Sequence, residues 1–247
     1  MRDSFGSLVQ AAIRDSGLTI SQVARRSGVS ASTIHRVLAS EVSPSIATLV
    51  EILAACGQSI PAVTEPLSDP LAPAAARAML DDYNPGELPI STWQDRLQRW
   101  ANGEPLEIAR QAGEAAGVRL RPGAFYTRKA PTLGHIASTG HTYGEAWAVS
   151  GAAGLILPDL TDDCPEPTVV WYQDPSAFTR LLTGRQWYQG PAPAGAALIV
   201  VPAEPELHQG SFVHNHVSYA APMQIVMDSI SLGGEVADIA LKEASTW

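Results

Sequence analysis

Between Phe5 and Gly57, apolar residues recur three and four positions apart in four short runs, each closed by a turn signal. The stretch 18–39, LTISQVARRSGVSASTIHRVLA, holds two of these runs back to back. Thr19 is placed to cap the first helix, with Gln22 three residues on as its capping-box partner and Val23 and Ala24 as its inner face. Gly28 stands where a helix end favours a left-handed residue. Val29 plugs the turn, and Ser30 caps a second helix in which Ile34, Val37 and Leu38 form one apolar stripe. The opposite face of that helix carries Ala31, Ser32, Thr33, His35 and Arg36, all short or hydrogen-bonding side chains. A helix that is small at its leading turn can enter the DNA major groove, where polar side chains read base edges. The pattern therefore predicts a helix-turn-helix with residues 31–38 as the recognition helix.

Beyond Gly57 the periodicity stops. PAVTEPLSDPLAP holds four prolines in thirteen residues and reads as a semi-rigid extended linker over 63–90, with AAARAMLDDY as a short helix inside it. A second domain is expected over 91–247. STWQDRLQRWANG and EPLEIARQAGEAAG read as amphipathic helices, and VRLRPGAFYTRK as a β-hairpin turning at Pro122-Gly123. Helix, helix and hairpin in that order suggest a winged-helix-like element. TYGEAWAVSGAAGLIL reads as a helix with small residues at its middle, and PSAFTRLLTG as a shorter one. TVVWYQD, AALIVVPA and SFVHNHVSYA read as strands, the second buried on both faces. Two helices close the chain, near PMQIVMDSISLGG and EVADIALKEAST.

The 18–39 stretch resembles Cro/repressor-type regulators, the XRE family, and the likeness extends to both sides. SFGSLVQAAIRDSG is similar to that family's first helix and SPSIATLVEILAACG to its fourth, with Ser45 as cap and Leu49, Ile52 and Leu53 inward. Ile20 stands where the family often has a Gln that braces a phosphate, so Ser21, Gln22 and Arg25 are the candidates for that contact. The resemblance implies DNA contacts from Thr19, Ser21, Gln22, Arg25, Ser30, Ala31, Ser32, Thr33, His35, Arg36 and Ser45. Further on, HTYGEAWAVSGAAGLILPDL, TVVWYQD and VSYAAPMQIVMDSISLGGEVADIALKEA resemble the C-terminal region of AbiEi-type antitoxins of type IV toxin–antitoxin operons. The positions that carry this likeness are Ser150-Gly151, Asp174, Tyr219, Pro222, Gln224 and Asp228. That family's usual winged helix is here replaced by the Cro-type module. The expected fold class is α + α/β: an all-α, lambda-repressor-like helix-turn-helix domain over 1–62, a Pro-rich linker and a mixed α/β, AbiEi-like domain. That last domain is expected to serve dimerisation, a partner or a second nucleic-acid contact.

Net charge is −9, which changes the picture once it is divided. Residues 1–62 hold five Lys/Arg against four Asp/Glu, and the remainder 11 against 21. The acidity belongs to the second part, so one module should bind DNA modestly and with strong salt dependence, which favours a dimer. Within the acidic part, Arg119, Arg121, Arg128 and Lys129 are interleaved with Phe125 and Tyr126. They read either as a second nucleic-acid contact or as a solvated hairpin balanced by nearby carboxylates.

Other chemistry is thin. Cys56 and Cys164 lie far apart without metal-ligand spacing and are expected as free thiols of a reducing compartment. His214 and His216, with His208 nearby, lack a recognisable third zinc ligand, and no metal or cofactor is expected. Asp159, Asp162, Asp163 and Asp174 read as a solvated acidic loop and a strand end before they read as a magnesium site. No phosphate-binding glycine loop or nucleophile elbow occurs, so no enzyme is expected. MRDSFGS is charged and then amphipathic, unlike a signal peptide, and no apolar run approaches the roughly 20 residues of a membrane span. A cytoplasmic, homodimeric transcriptional repressor is the leading expectation, with operator half-sites about one helical turn, roughly 34 Å, apart. The alternative is a type IV-like antitoxin that binds a nucleotidyltransferase-like toxin and regulates its own operon. A metal-dependent DNA-processing enzyme is the minor one.

Overall fold

The structure is a computed structural model of the chain, and it describes residues 5–60, 64–142, 144, 146–203 and 205–246. It divides into two units, residues 1–65 and 66–247.

The first unit contains α1 (Phe5–Ser16), α2 (Ile20–Ser27), α3 (Ala31–Leu38) and α4 (Ile46–Ala55). The last three begin on hydroxyl caps. Thr19, Ser30 and Ser45 accept the backbone N–H of Gln22, Thr33 and Thr48 at 3.3, 3.1 and 3.1 Å. Each cap satisfies an otherwise orphaned donor and contributes about 1 kcal/mol. One small core joins the helices: Val9, Ala12, Val23, Ile34, Val37, Leu49, Ile52 and Leu53. Gly6 lets α1 meet the end of α3 closely, because a Cβ there would lie 2.8 Å from the Val37 carbonyl oxygen.

The second unit is a seven-stranded mixed sheet with helices on both faces. Its helices are α5 (Leu71–Leu80), α6 (Ser91–Ala101), α7 (Pro105–Ala116), α8 (Leu133–Gly140), α9 (Ala152–Ile156), α10 (Pro175–Leu181), α11 (Pro222–Leu232) and α12 (Gly234–Ala244). Its strands are β1 (Phe125–Thr127), β2 (Trp147–Gly151), β3 (Thr168–Tyr172), β4 (Tyr188–Gln189), β5 (Leu198–Pro202), β6 (Phe212–His214) and β7 (Val217–Tyr219), in the spatial order β4-β1-β5-β3-β2-β7-β6. The β3–β5 and β2–β7 pairs are parallel and the others antiparallel. Strand alternation then separates two cores. Val170, Tyr172, Leu198 and Val200 face Leu133, Ile136 and Phe178. Val169, Trp171, Ile199 and Val201 face Ala152 and Leu232. Helix α11 is the most buried helix among the described residues, and small residues admit it: Cβ atoms at Gly113 and Gly154 would lie 2.8 and 2.9 Å from Ile230 and Ile225.

Several expectations fail here. The described part of the expected 63–90 linker is not a linker: 71–80 form α5, whose Ala72 to Arg77 are buried against Tyr83, Trp93, Leu97 and Ile108. Pro70 and Pro73 fall at the cap and first turn, where no intrahelical N–H is needed. The second unit therefore begins near residue 66, not 91, and the Pro61–Val63 part of the expected linker lies outside the described residues. There is no winged-helix hairpin, because Val118–Leu120 is a 3-10 turn and β1 pairs with β4 and β5 instead. The helix expected over 142–157 is the strand β2 followed by the single turn α9, with Gly151 at φ 70° between them; Tyr143 and Glu145 lie outside the described residues. Trp147 to Gly151 are drawn into the sheet by five register pairs with β3. The strand expected over 211–220 is the hairpin β6–β7, turning at Asn215 and His216 with φ of 46° and 63°, the left-handed pair of a two-residue turn.

Candidate nucleic-acid interface

The recognition surface is assembled locally. Gly28 at φ 70° ends α2, Ser27 Oγ accepts the Val29 N–H at 3.2 Å, and the cap on Ser30 starts α3 two residues later. Ile34 and Val37 are fully buried, which fixes the rotation of α3 about its axis. The helix consequently presents Ser32, His35 and Arg36 to solvent, with Ala31 and Thr33 half-buried beside them. On the preceding helix Ser21, Gln22 and Arg25 are exposed, as are the caps Thr19, Ser30 and Ser45.

Several of these groups already have partners. Gln22 Oε1 accepts from the Thr19 N–H at 2.8 Å and from the Thr19 hydroxyl at 3.1 Å, completing the expected capping box. Its acceptor is committed to the cap, and its amide N–H₂ remains as a donor for a phosphate. The Ser30 and Thr33 hydroxyls bond each other at 2.8 Å, and those of Ser45 and Thr48 at 2.9 Å. Arg26 leans back towards the Ala55 carbonyl oxygen at 3.5 Å, and Arg14 pairs with Asp15. Arg25 and Arg36 are the cations left reaching outward from the two helices of the motif. Ile20 is half-buried in the core, so it offers no polar group at that position.

The four cations expected as a second contact are not a surface patch. Arg121 is 6% exposed and donates through Nη2 to the Ala116 carbonyl oxygen at 2.9 Å. Arg119 is half-buried, bonding the Leu232 and Pro193 carbonyl oxygens at 3.1 and 2.7 Å. Burial lowers the pKa of both guanidinium groups, with nearby Asp228 and Asp69 working the other way on Arg121. Only Arg128 and Lys129 are exposed. Sequence reasoning missed this because a run of cations looks the same whether its carbonyl partners are near or a hundred residues away.

Of the residues that carried the AbiEi likeness, Ser150, Gln224 and Asp228 meet. Asp228, fully buried, accepts from Ser150 Oγ at 2.6 Å, Trp171 Nε1 at 2.7 Å and Gln224 Nε2 at 2.8 Å. Burial raises its pKa, against the pull of those three donors and of Arg121. Asp174 lies elsewhere and caps α10, accepting the Ser176 and Ala177 N–H groups at 2.9 and 3.1 Å. Tyr219 stacks on Phe212. Among the described residues, no three His, Cys, Asp or Glu side chains are grouped to hold a metal ion. His214 ends β6 and His216 lies in the turn after it, so the two do not share a strand face. The described residues also contain no helix long and apolar enough to cross a membrane.

Comparison with known proteins agrees with the first unit alone. No curated protein and no solved structure matches the chain. Residues 4–67 match the family described as a helix-turn-helix domain, so the N-terminal part of the chain is similar to the helix-turn-helix domains of DNA-binding regulators.

Proposed function

We propose that the protein is a sequence-specific transcriptional repressor of the XRE, lambda-repressor-like kind, working in the cytoplasm as a homodimer. The observation that carries this reading is α3 itself: capped by Ser30, anchored by Ile34 and Val37, and polar outward at Ser32, His35 and Arg36. Such a surface suits the major groove and has no evident use in holding the fold. Thr19, Ser21, Gln22, Arg25 and Ser45 are the candidates for backbone phosphates, and Ser32, His35 and Arg36 for base edges. The test is to select bound fragments from the source genome with the wild type and with Arg36→Ala. A guanidinium–guanine contact supplies about 1–3 kcal/mol of discrimination, so the variant should lose several-fold to a hundred-fold preference at one position of each half-site. Unchanged preference with an unchanged melting curve would mean that another helix reads the site.

A second reading, that the chain is also an antitoxin, is favoured by the meeting of Ser150, Gln224 and Asp228 in one buried network. It predicts that a nucleotidyltransferase-like protein encoded beside this chain co-purifies with it, and it fails if the two elute apart at micromolar concentration.

A further inference from the structure

A cavity of about 480 Å³ opens between α5, the start of β1's approach and the 205–208 turn, and its lining is mostly apolar: Pro70, Leu71, Ala74, Leu88, Pro202 and Leu207 are examples. That volume falls within the range of pockets that hold drug-sized ligands. Among the described residues, three charged ones line it, Arg77, Arg121 and Glu206. The two arginines are 1% and 6% exposed, whereas Glu206 is half-buried. Arg77 donates to the carbonyl oxygens of Leu207 at 3.2 Å and Gln209, and its ring-facing side lies 4.2 Å from the Tyr83 centroid. Its Nε has no hydrogen-bond partner but forms a long ion pair with Asp81 Oδ2 at 4.0 Å. Arg121 spends only Nη2 on a carbonyl, and both its Nε and its Nη1 are buried without a hydrogen-bond partner.

Leaving guanidinium N–H groups dry and unpaired is costly, because a charged donor gives up its hydration and gains nothing in return. Arginine does not escape by losing its proton. Asp228 acts on Arg121 through space, but its oxygens already accept from Ser150, Trp171 and Gln224. Arg121 thus keeps unused donors inside an apolar wall.

We propose that this cavity is a binding site for an organic monocarboxylate: a single carboxylate taken by Arg121 and Arg77, on an apolar body packed against Leu71, Leu88, Trp171 and the prolines. One carboxylate answers the unused donors of Arg121, and the apolar wall disfavours polyanions such as nucleotides, which would strand further charges away from water. The proposal does not depend on the DNA-reading assignment.

All six tryptophans lie beyond residue 90, and Trp171 lines the cavity, so tryptophan emission of the full chain reports on this unit. The probes are phenylacetate, 1-naphthylacetate and decanoate, each paired with its primary amide of nearly the same shape. At least one acid should give a saturable emission change, with its amide about ten-fold weaker or worse, since charge-assisted hydrogen bonds distinguish the two. Arg121→Gln should abolish the acid's advantage, and Arg121→Lys, the milder change should Gln unfold the unit, should reduce it. Equal binding of acid and amide, no binding by any of the three acids to the folded wild type, or full acid affinity in a folded Arg121 variant would each overturn the proposal.

Discussion

Gly6 has no room for a side chain. A Cβ there would meet the Val37 and Leu38 carbonyl oxygens at 2.8 and 3.1 Å, both backbone atoms that cannot rotate away. Gly6→Ala should therefore push α1 off α3 and cost about 1–3 kcal/mol, as overpacking does. Circular dichroism melts should show an early transition from the first unit while tryptophan emission, which arises only in the second, melts unchanged. The two cysteines offer another residue-level test. Cys164 is 3% exposed and burial pushes its thiol up to about 11, whereas Cys56 is half-buried. A thiolate-selective reagent at pH 8 should label Cys56 first and reach Cys164 only in denaturant. At this scale the sequence was informative wherever partners are near in the chain. Thr19 with Gln22 and Ser30 with Thr33 are three residues apart, and both caps were legible. Arg121 was not, because its burial depends on segments that the chain brings back from far away.

The elements tell a similar story with one reversal. Helices α1 to α4 and strands β3 and β5 follow from apolar spacing alone. Strand β2 does not, since WAVSGAAG suits a small-faced helix until β3 and β7 are present to pair with it. The prolines before α5 give the local pattern of an extended chain, although proline is tolerated at a helix start. The Ser150–Trp171–Gln224–Asp228 network ties β2, β3 and α11 together, and its acid sets a pH dependence. Burial raises the Asp228 pKa above the value in the unfolded chain. The native state then holds the proton that the unfolded chain has released, so this contribution is full below the ordinary carboxylate range and shrinks as pH rises through it, up to the native pKa. Tryptophan-detected urea unfolding should show stability of the second unit falling over that window. Asp228→Asn, which cannot titrate, should flatten the slope even though it lowers stability overall; an unaltered slope would place the source in another group.

For the whole molecule, charge partition decides how DNA is held. The first unit keeps Arg25 and Arg36 outward, while the more acidic second unit turns Arg119 and Arg121 inward. The salt dependence of operator binding should accordingly report cations of the first unit. Arg25→Glu should reduce the log–log slope by about one or more per site, and the double reversal Arg128→Glu with Lys129→Glu should leave it in place. A slope that responds to the double reversal would restore a second contact.

Helix α11 also governs the order in which the polypeptide can reach its native state. It walls both cores of the sheet and α7, yet every strand precedes it in the chain. A nascent protein can complete its first unit as soon as α4 has been synthesised, because the core of that unit draws on no residue beyond Cys56. The later unit has no such early option: β1 awaits β5, β2 awaits β7, and the whole sheet stays uncapped on one side until α11 is made. Prematurely terminated products should thus carry an intact, protease-resistant helix-turn-helix head followed by a tail that proteases degrade.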